Sequence, residues 1–167
     1  ELRSKAREIS FKTGLLLSRC TLDDDALDKE LENNKKSKFA KFQNYFSYQE
    51  SVEQAVAHRV MAIRRGEAEK VLRLSIEVEK DEILDVFKKD LITSVETTEE
   101  VSLWLEKAIG DSYRRLIGPS IETEIRLHLK NRAEEEAIKV FSKNLENLLL
   151  LPPMPRKVVM GVDPGIR

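Results

Sequence analysis

Hydrophobic positions divide the chain into segments of two periods. Leu72, Leu74, Ile76 and Val78 alternate with Arg73, Ser75 and Glu77. A period of two predicts a strand with one face in a core and one in water. Ahead of it, Val52, Val56, Val60 and Ile63 form a helical stripe that Ala55 widens, which predicts a helix over 51–65. Gly66 reads as the left-handed residue that closes this helix, with Arg64 and Arg65 in its last turn, where cations complement the helix dipole. The stretch AHRVMAIRRGE, residues 57–67, is therefore read as a helix handing over to a strand. A lone strand is unstable, and the apolar run 15–20 is its best local partner, so a two-stranded sheet is expected.

Most of the remaining pattern is helical. Leu2, Ala6 and Ile9 share one side of a helix over 2–12 that Gly14 stops. Residues 21–38 offer little apolar surface and read as a solvated loop or loosely held helix. Phe39, Phe42 and Phe46 fall at helical spacing, and Ile83, Val86, Phe87 and Leu91 mark a helix over 81–92. Thr97 to Glu100 has the form of a capping box, followed by a stripe at Val101, Leu105, Ala108, Ile109, Ser112 and Leu116. Within that stripe Gly110 is expected to mark a bend or a close helix approach. Gly118-Pro119 is expected to end that helix and start the next. The new helix, 119–149, would be about 45 Å long. Its stripe repeats every four residues from Ile121 to Leu149, so it drifts around the axis and must meet different neighbours on successive turns. That is the pattern of a strut.

Pro152, Pro153 and Pro155 then form a stiff linker, and KVVMGVD at 157–163 reads as the opening strand of another domain. The expected fold is mainly α: a multi-helix domain over 1–151 with a small two-stranded β element and a long C-terminal helix. A linker at 152–156 and a truncated first strand within 157–167 follow.

Composition narrows the function classes. The 167 residues carry 29 basic and 30 acidic side chains, a net charge of -1, so any nucleic-acid contact has to come from local patches. One cysteine, Cys20, excludes an internal disulfide and suits a reducing compartment. No apolar run reaches the ~20 residues of a membrane span, and the reading is a cytoplasmic protein without membrane partners. The absence of an initial Met and the abrupt end suggest a piece of a longer chain.

Candidate chemistry is sparse. His58, Arg59, Arg64 and Arg65 are candidates for a phosphate-contacting patch, although packing and capping explain the arginines as well. Lys38 and Lys41 interleave with Phe39, Phe42, Tyr45, Phe46 and Tyr48, which can make a base-stacking platform or simply a core stripe. Asp23, Asp24 and Asp25 are adjacent and lack the spacing of a calcium loop, so no metal site and no cofactor are assigned. His58 has no nucleophile near it in sequence.

Four segments in order, AHRVMAIRRGE, AIGDSYRRLIGPS at 108–120, AEEEAIKVFSKNLENLLLL at 133–151 and VMGVDPGIR at 159–167, resemble the Tex family of bacterial transcription-accessory proteins. The resemblance covers 42–167; residues 2–20 are compatible with it and 21–38 match nothing distinctive. It implies the latter part of the family's N-terminal helical scaffold, ending where a YqgF-type RNase H-like domain begins. The family's helix-hairpin-helix units and RNA-binding barrel would lie outside this chain. It also implies RNA or DNA as partners of the full-length protein, with RNA polymerase or other transcription proteins as further candidates. Asp163 corresponds to the first carboxylate of a metal-binding set in related resolvase-type nucleases, whose other acids are not in this chain. The expectation is a non-catalytic scaffold segment; the alternatives are part of a nuclease, resting on Asp163, or a helical docking module.

Overall fold

The computed structural model describes residues 1–33, 37–92, 98–153, 155–163 and 165, the side chains of 31–33 excepted. Its elements are α1 (Leu2–Thr13), β1 (Leu15–Cys20), α2 (Asp24–Asn33), a 3-10 helix (Phe39–Tyr45), β2 (Ser47–Ser51), α3 (Ala57–Ala68), β3 (Leu72–Glu77), α4 (Lys80–Ile92), α5 (Glu99–Ser112) and α6 (Gly118–Leu149). The mainly α fold with a long last helix is as the pattern predicts.

The expected pairing of 15–20 with 71–78 is present, with Leu16 opposite Ile76 and Ser18 opposite Leu74. The sheet has three strands, however, and β1 lies at its centre between β2 and β3, antiparallel to both. β2, SYQES, carries no aliphatic residue and so shows no alternation to read. Its inward positions are Tyr48 and Glu50, half-buried and tied to a cation on α3. The same strand shortens the helix expected over 51–65. The Val52 amide donates to Gly14 O at 2.9 Å, extending the ladder, and α3 starts only at Ala57.

Gly66 does not close its helix. It lies inside α3, buried, and a Cβ built there would stand 2.5 Å from Leu72 Cδ1, 2.8 Å from Leu72 Cγ and 3.1 Å from Phe42 Cδ1. Absence of a side chain lets β3 and the 3-10 helix reach the backbone of α3. The chain reverses at Lys70 instead, a non-glycine residue with φ 59°. Phe39 and Phe42 are core residues, as a helical stripe requires, while Phe46 is only half-buried.

Leu16, Val60, Ile63, Leu74 and Leu129 surround a void of only about 10 Å³, so sheet, α3 and α6 meet in one closely packed core. Burying each such side chain stabilises by about 1.5–3 kcal/mol. Helix α5 is held less firmly. Of its expected stripe only Ile109 is buried, while Val101 and Leu116 are exposed. Thr97 of the expected capping box lies outside the described residues, and Thr98 makes no side-chain cap bond. A methyl group placed on Gly110 would have nothing within 4 Å, so no close approach occurs there.

Gly118-Pro119 does not separate two helices either. A π-helical turn, Tyr113–Ile117, joins α5 to α6 without a break, and the Gly118 amide donates to Tyr113 O, five residues back. Widening the turn accommodates a proline, which brings no amide and crowds the preceding carbonyls.

Along α6 the predicted stripe is buried at Ile121, Ile125, Leu129 and Ala133, then emerges at Phe141, Leu145 and Leu149, which are 66%, 41% and 74% exposed. Only the first half of the strut packs on this domain. Residues 157–163 form no strand here, and Val158, Val159, Met160 and Val162 are exposed. A strand requires a ladder partner, and no described strand pairs with this segment.

Candidate nucleic-acid interface

The six candidate positions separate into different surroundings. Arg59 is committed to the sheet: its Nη1 donates to Glu50 Oε1 at 2.8 Å and to Tyr48 Oη at 3.1 Å. Desolvation, then the hydrogen bond with Glu50, raises the Tyr48 phenol above its ordinary range. Arg59 therefore neutralises a half-buried acid of β2 while its own side chain stays 42% exposed. Arg64 is half-buried, its stem lining the small core void beside Arg126.

Arg65 is exposed on the last turn of α3. Lys38 lies close to that helix end, its Nζ donating to Glu69 O at 3.3 Å and standing 5.5 Å from the Phe39 ring centre. Lys41 is exposed on the 3-10 helix, whose Phe42 packs against Gly66 of the same turn. The tight reversal adds exposed Lys70, which no sequence pattern singled out. His58 is exposed at the opposite end of α3, in its first turn. The stacking platform is not assembled: Phe39 and Phe42 are buried, and Tyr45 and Tyr48 pack edge to face at 5.5 Å.

Two arginines missed by sequence reasoning hold the strut. Arg132 donates to three carbonyls, Ala55 O at 2.6 Å, Glu53 O at 3.1 Å and Val52 O at 3.3 Å. Arg126 pairs with Glu67 at 2.9 Å and Glu122 at 3.1 Å and donates to Leu74 O. Their only sequence signal is position, since each adjoins a buried stripe residue, Ile125 or Ala133. Cations there extend beside the apolar contact and satisfy carbonyls that the loop after β2 and the edge of β3 leave open.

A cleft of about 680 Å³ lies between the sheet and the π-helical turn. Arg19, Lys80 and Arg114 line it together with Glu77, Asp81 and Glu122, so its charges balance and it has no preference for anions. Asp24 and Asp25 occupy the first turn of α2, where carboxylates complement the dipole. Among the described residues no group of acids, histidines or cysteines is arranged to hold a metal ion. Asp163 is exposed and accepts a hydrogen bond from the Gly165 amide at 2.9 Å. No helix among the described residues is long and apolar enough to cross a membrane.

Residues 1–141 match the Tex central region-like family. The uncharacterized protein YdcI of Bacillus subtilis is 40% identical over 165 residues, covering 99% of this chain and 21% of that protein. The transcriptional accessory protein Tex of Neisseria gonorrhoeae is 31% identical over 83% of this chain and 19% of its own length. Human S1 RNA-binding domain-containing protein 1 is 36% identical over 66% of this chain and 12% of its own length. The chain thus spans about a fifth or less of each of these relatives. The match over residues 1–141, with the 40% identity to YdcI over 99% of the chain, places the chain in the Tex family.

Proposed function

We propose that this chain is a non-catalytic scaffold segment of a nucleic-acid-binding protein that acts in transcription. The carrying observation is the attachment of α6, whose first half is buried at four stripe positions and clamped through Arg126 and Arg132. The second half projects free of the domain, exposed at Phe141, Leu145 and Leu149. Such a helix transmits orientation between parts of a larger molecule, because bending it would break either its own ladder or the carbonyl clamp. Two relatives, one named as a transcriptional accessory protein and one as an S1 RNA-binding domain-containing protein, support the transcriptional and nucleic-acid setting.

Within that reading, direct contact with nucleic acid is assigned to the end of α3, where Arg65 and Lys70 are exposed near Lys38 and Lys41. The contact is electrostatic and independent of sequence. Fluorescence anisotropy of this chain with single-stranded RNA and duplex DNA across a salt series tests it. Arg65→Glu with Lys70→Glu is expected to weaken binding and to reduce the salt slope by roughly 0.7–0.9 for each phosphate no longer neutralised. Unchanged affinity and slope would remove the patch and leave the scaffold role to α6 alone.

A further inference from the structure

We infer that Arg19 and Arg73 clamp a backbone phosphate of single-stranded nucleic acid on the outer face of the sheet, a contact that rests on the reading of the α3 end given above and extends it onto β1 and β3.

The strand register decides which side chains meet. Arg19 stands opposite Arg73 in the β1–β3 pair and opposite Ser47 in the β1–β2 pair. Both arginines alternate with residues of the buried face, Ser18, Leu72 and Leu74, so they project from the outer face, where both are exposed. Side chains directly opposed in this way have Cβ atoms about 4.5–5.5 Å apart, and two like charges so placed disfavour the pairing. Nothing within the fold offsets the cost. Arg59, Arg126 and Arg132 are each bonded to a carboxylate or to carbonyls, whereas neither the Arg19 nor the Arg73 guanidinium has an ion-pair or hydrogen-bond partner among the described residues.

The surrounding acids stand apart from the pair. Gln49, Leu17 and Ser75 form the next row of the sheet, so neither this row nor that of the arginines carries a carboxylate. Glu77 on the same face lies four residues along β3 from Arg73, about 13 Å. Arg19 borders the charge-balanced cleft and also a hollow of about 460 Å³ that Asp24 lines, without an ion pair to that acid. Arg73 lines neither, and Glu122 of the cleft is already paired with Arg126.

Two forked guanidiniums on neighbouring strands suit a group with several oxygens and a spread negative charge, which is the chemistry of a phosphate. A polymer is favoured over a lone ion because a second set of cations adjoins. Thr21 Oγ1 donates to Lys70 O at 3.0 Å and to Val71 O at 3.1 Å, fastening the end of β1 to the reversal that carries Lys70, and Lys38 Nζ reaches Glu69 O beside it. Arg73 follows Lys70 by three residues, about 10 Å of extended chain. A strand held at the end of α3 meets the arginine row next.

Anisotropy of a labelled oligouridylate across a salt series compares the native chain with the Arg19→Gln, Arg73→Gln double variant. The substitutions are expected to weaken binding roughly tenfold and to reduce the salt slope by about 0.7, the share of one single-strand phosphate. In the free chain they should raise the urea midpoint, because a repulsion is removed; a lower midpoint would show that the arginines serve the fold and would overturn the clamp. Unchanged affinity and slope would also overturn it, and a loss confined to Arg65→Glu with Lys70→Glu would do so while keeping the α3 contact. No binding by the native chain would remove both. Displacement of the oligomer by inorganic phosphate at constant ionic strength, the mark of a free-ion site, or tighter binding of a phosphopeptide of equal charge would overturn the assignment to nucleic acid.

Discussion

Gly66→Ala separates a close approach from an open position inside α3. Were Gly66 an open helical position, alanine would lose nothing by contact and would gain about 1 kcal/mol in propensity. The structure instead places the new methyl 2.5 Å from Leu72 Cδ1 and 2.8 Å from Cγ. Leu72 is 2% exposed and cannot retreat without displacing β3, and Phe42 stands 3.1 Å away on another side. Overpacking of a filled core costs about 1–3 kcal/mol, so after the propensity gain of about 1 kcal/mol a net destabilisation of up to about 2 kcal/mol is expected. Urea unfolding followed by circular dichroism reads this as a lower midpoint at unchanged slope. Gly110→Ala is the internal control: it is helical, nothing lies within 4 Å of the new methyl, and it should raise stability by up to about 1 kcal/mol. Opposite signs for the two substitutions are required. If Gly66→Ala stabilises as Gly110→Ala does, no close approach constrains α3 at this position.

Three further outcomes follow from the packing and the titrating groups. Arg132→Ala should destabilise by about 2 kcal/mol and Arg132→Lys should not fully restore it, because an ammonium cannot reproduce the guanidinium's reach to three carbonyls; urea midpoints measure both. Ile125→Ala, at a position 0% exposed, should cost about 2–5 kcal/mol and free the base of α6, whose amides would then exchange faster. Desolvation raises the Tyr48 and Tyr113 phenols above the ordinary 10.0, so the folded chain holds protons that the unfolded chain releases. Stability present below pH 10 should therefore fall as pH rises through the raised values, and Tyr113→Phe should lessen that fall in urea titrations.

Local period was enough wherever it sets a side chain's environment. The alternation at 72–77, the pairing of that strand with 15–20 and the buried positions 121–133 of α6 are one-dimensional patterns, and the structure reproduces them. Period was silent where polar residues are buried by a distant partner. β2 is invisible because Tyr48 and Glu50 face inward only by virtue of Arg59, contributed by a helix that begins later in the chain. The candidate interface shows the same division. Arg59 and Arg64 looked equivalent to Arg65 in sequence, yet one is spent on an acid and one lines the core, while Lys70 joins Arg65 through a backbone reversal that no motif announces.

Helix content, the strut and its every-fourth-residue stripe are properties of the sequence by itself, because period and propensity act over a few residues. Tertiary structure alone decided that the sheet has a third strand, that Gly66 marks contact and not an end, and that Pro119 is absorbed in a π-helical turn. It also decided where α6 stops being held. Those outcomes depend on which surfaces meet across tens of residues, and on carbonyls that Arg126 and Arg132 reach only once the chain has closed on itself.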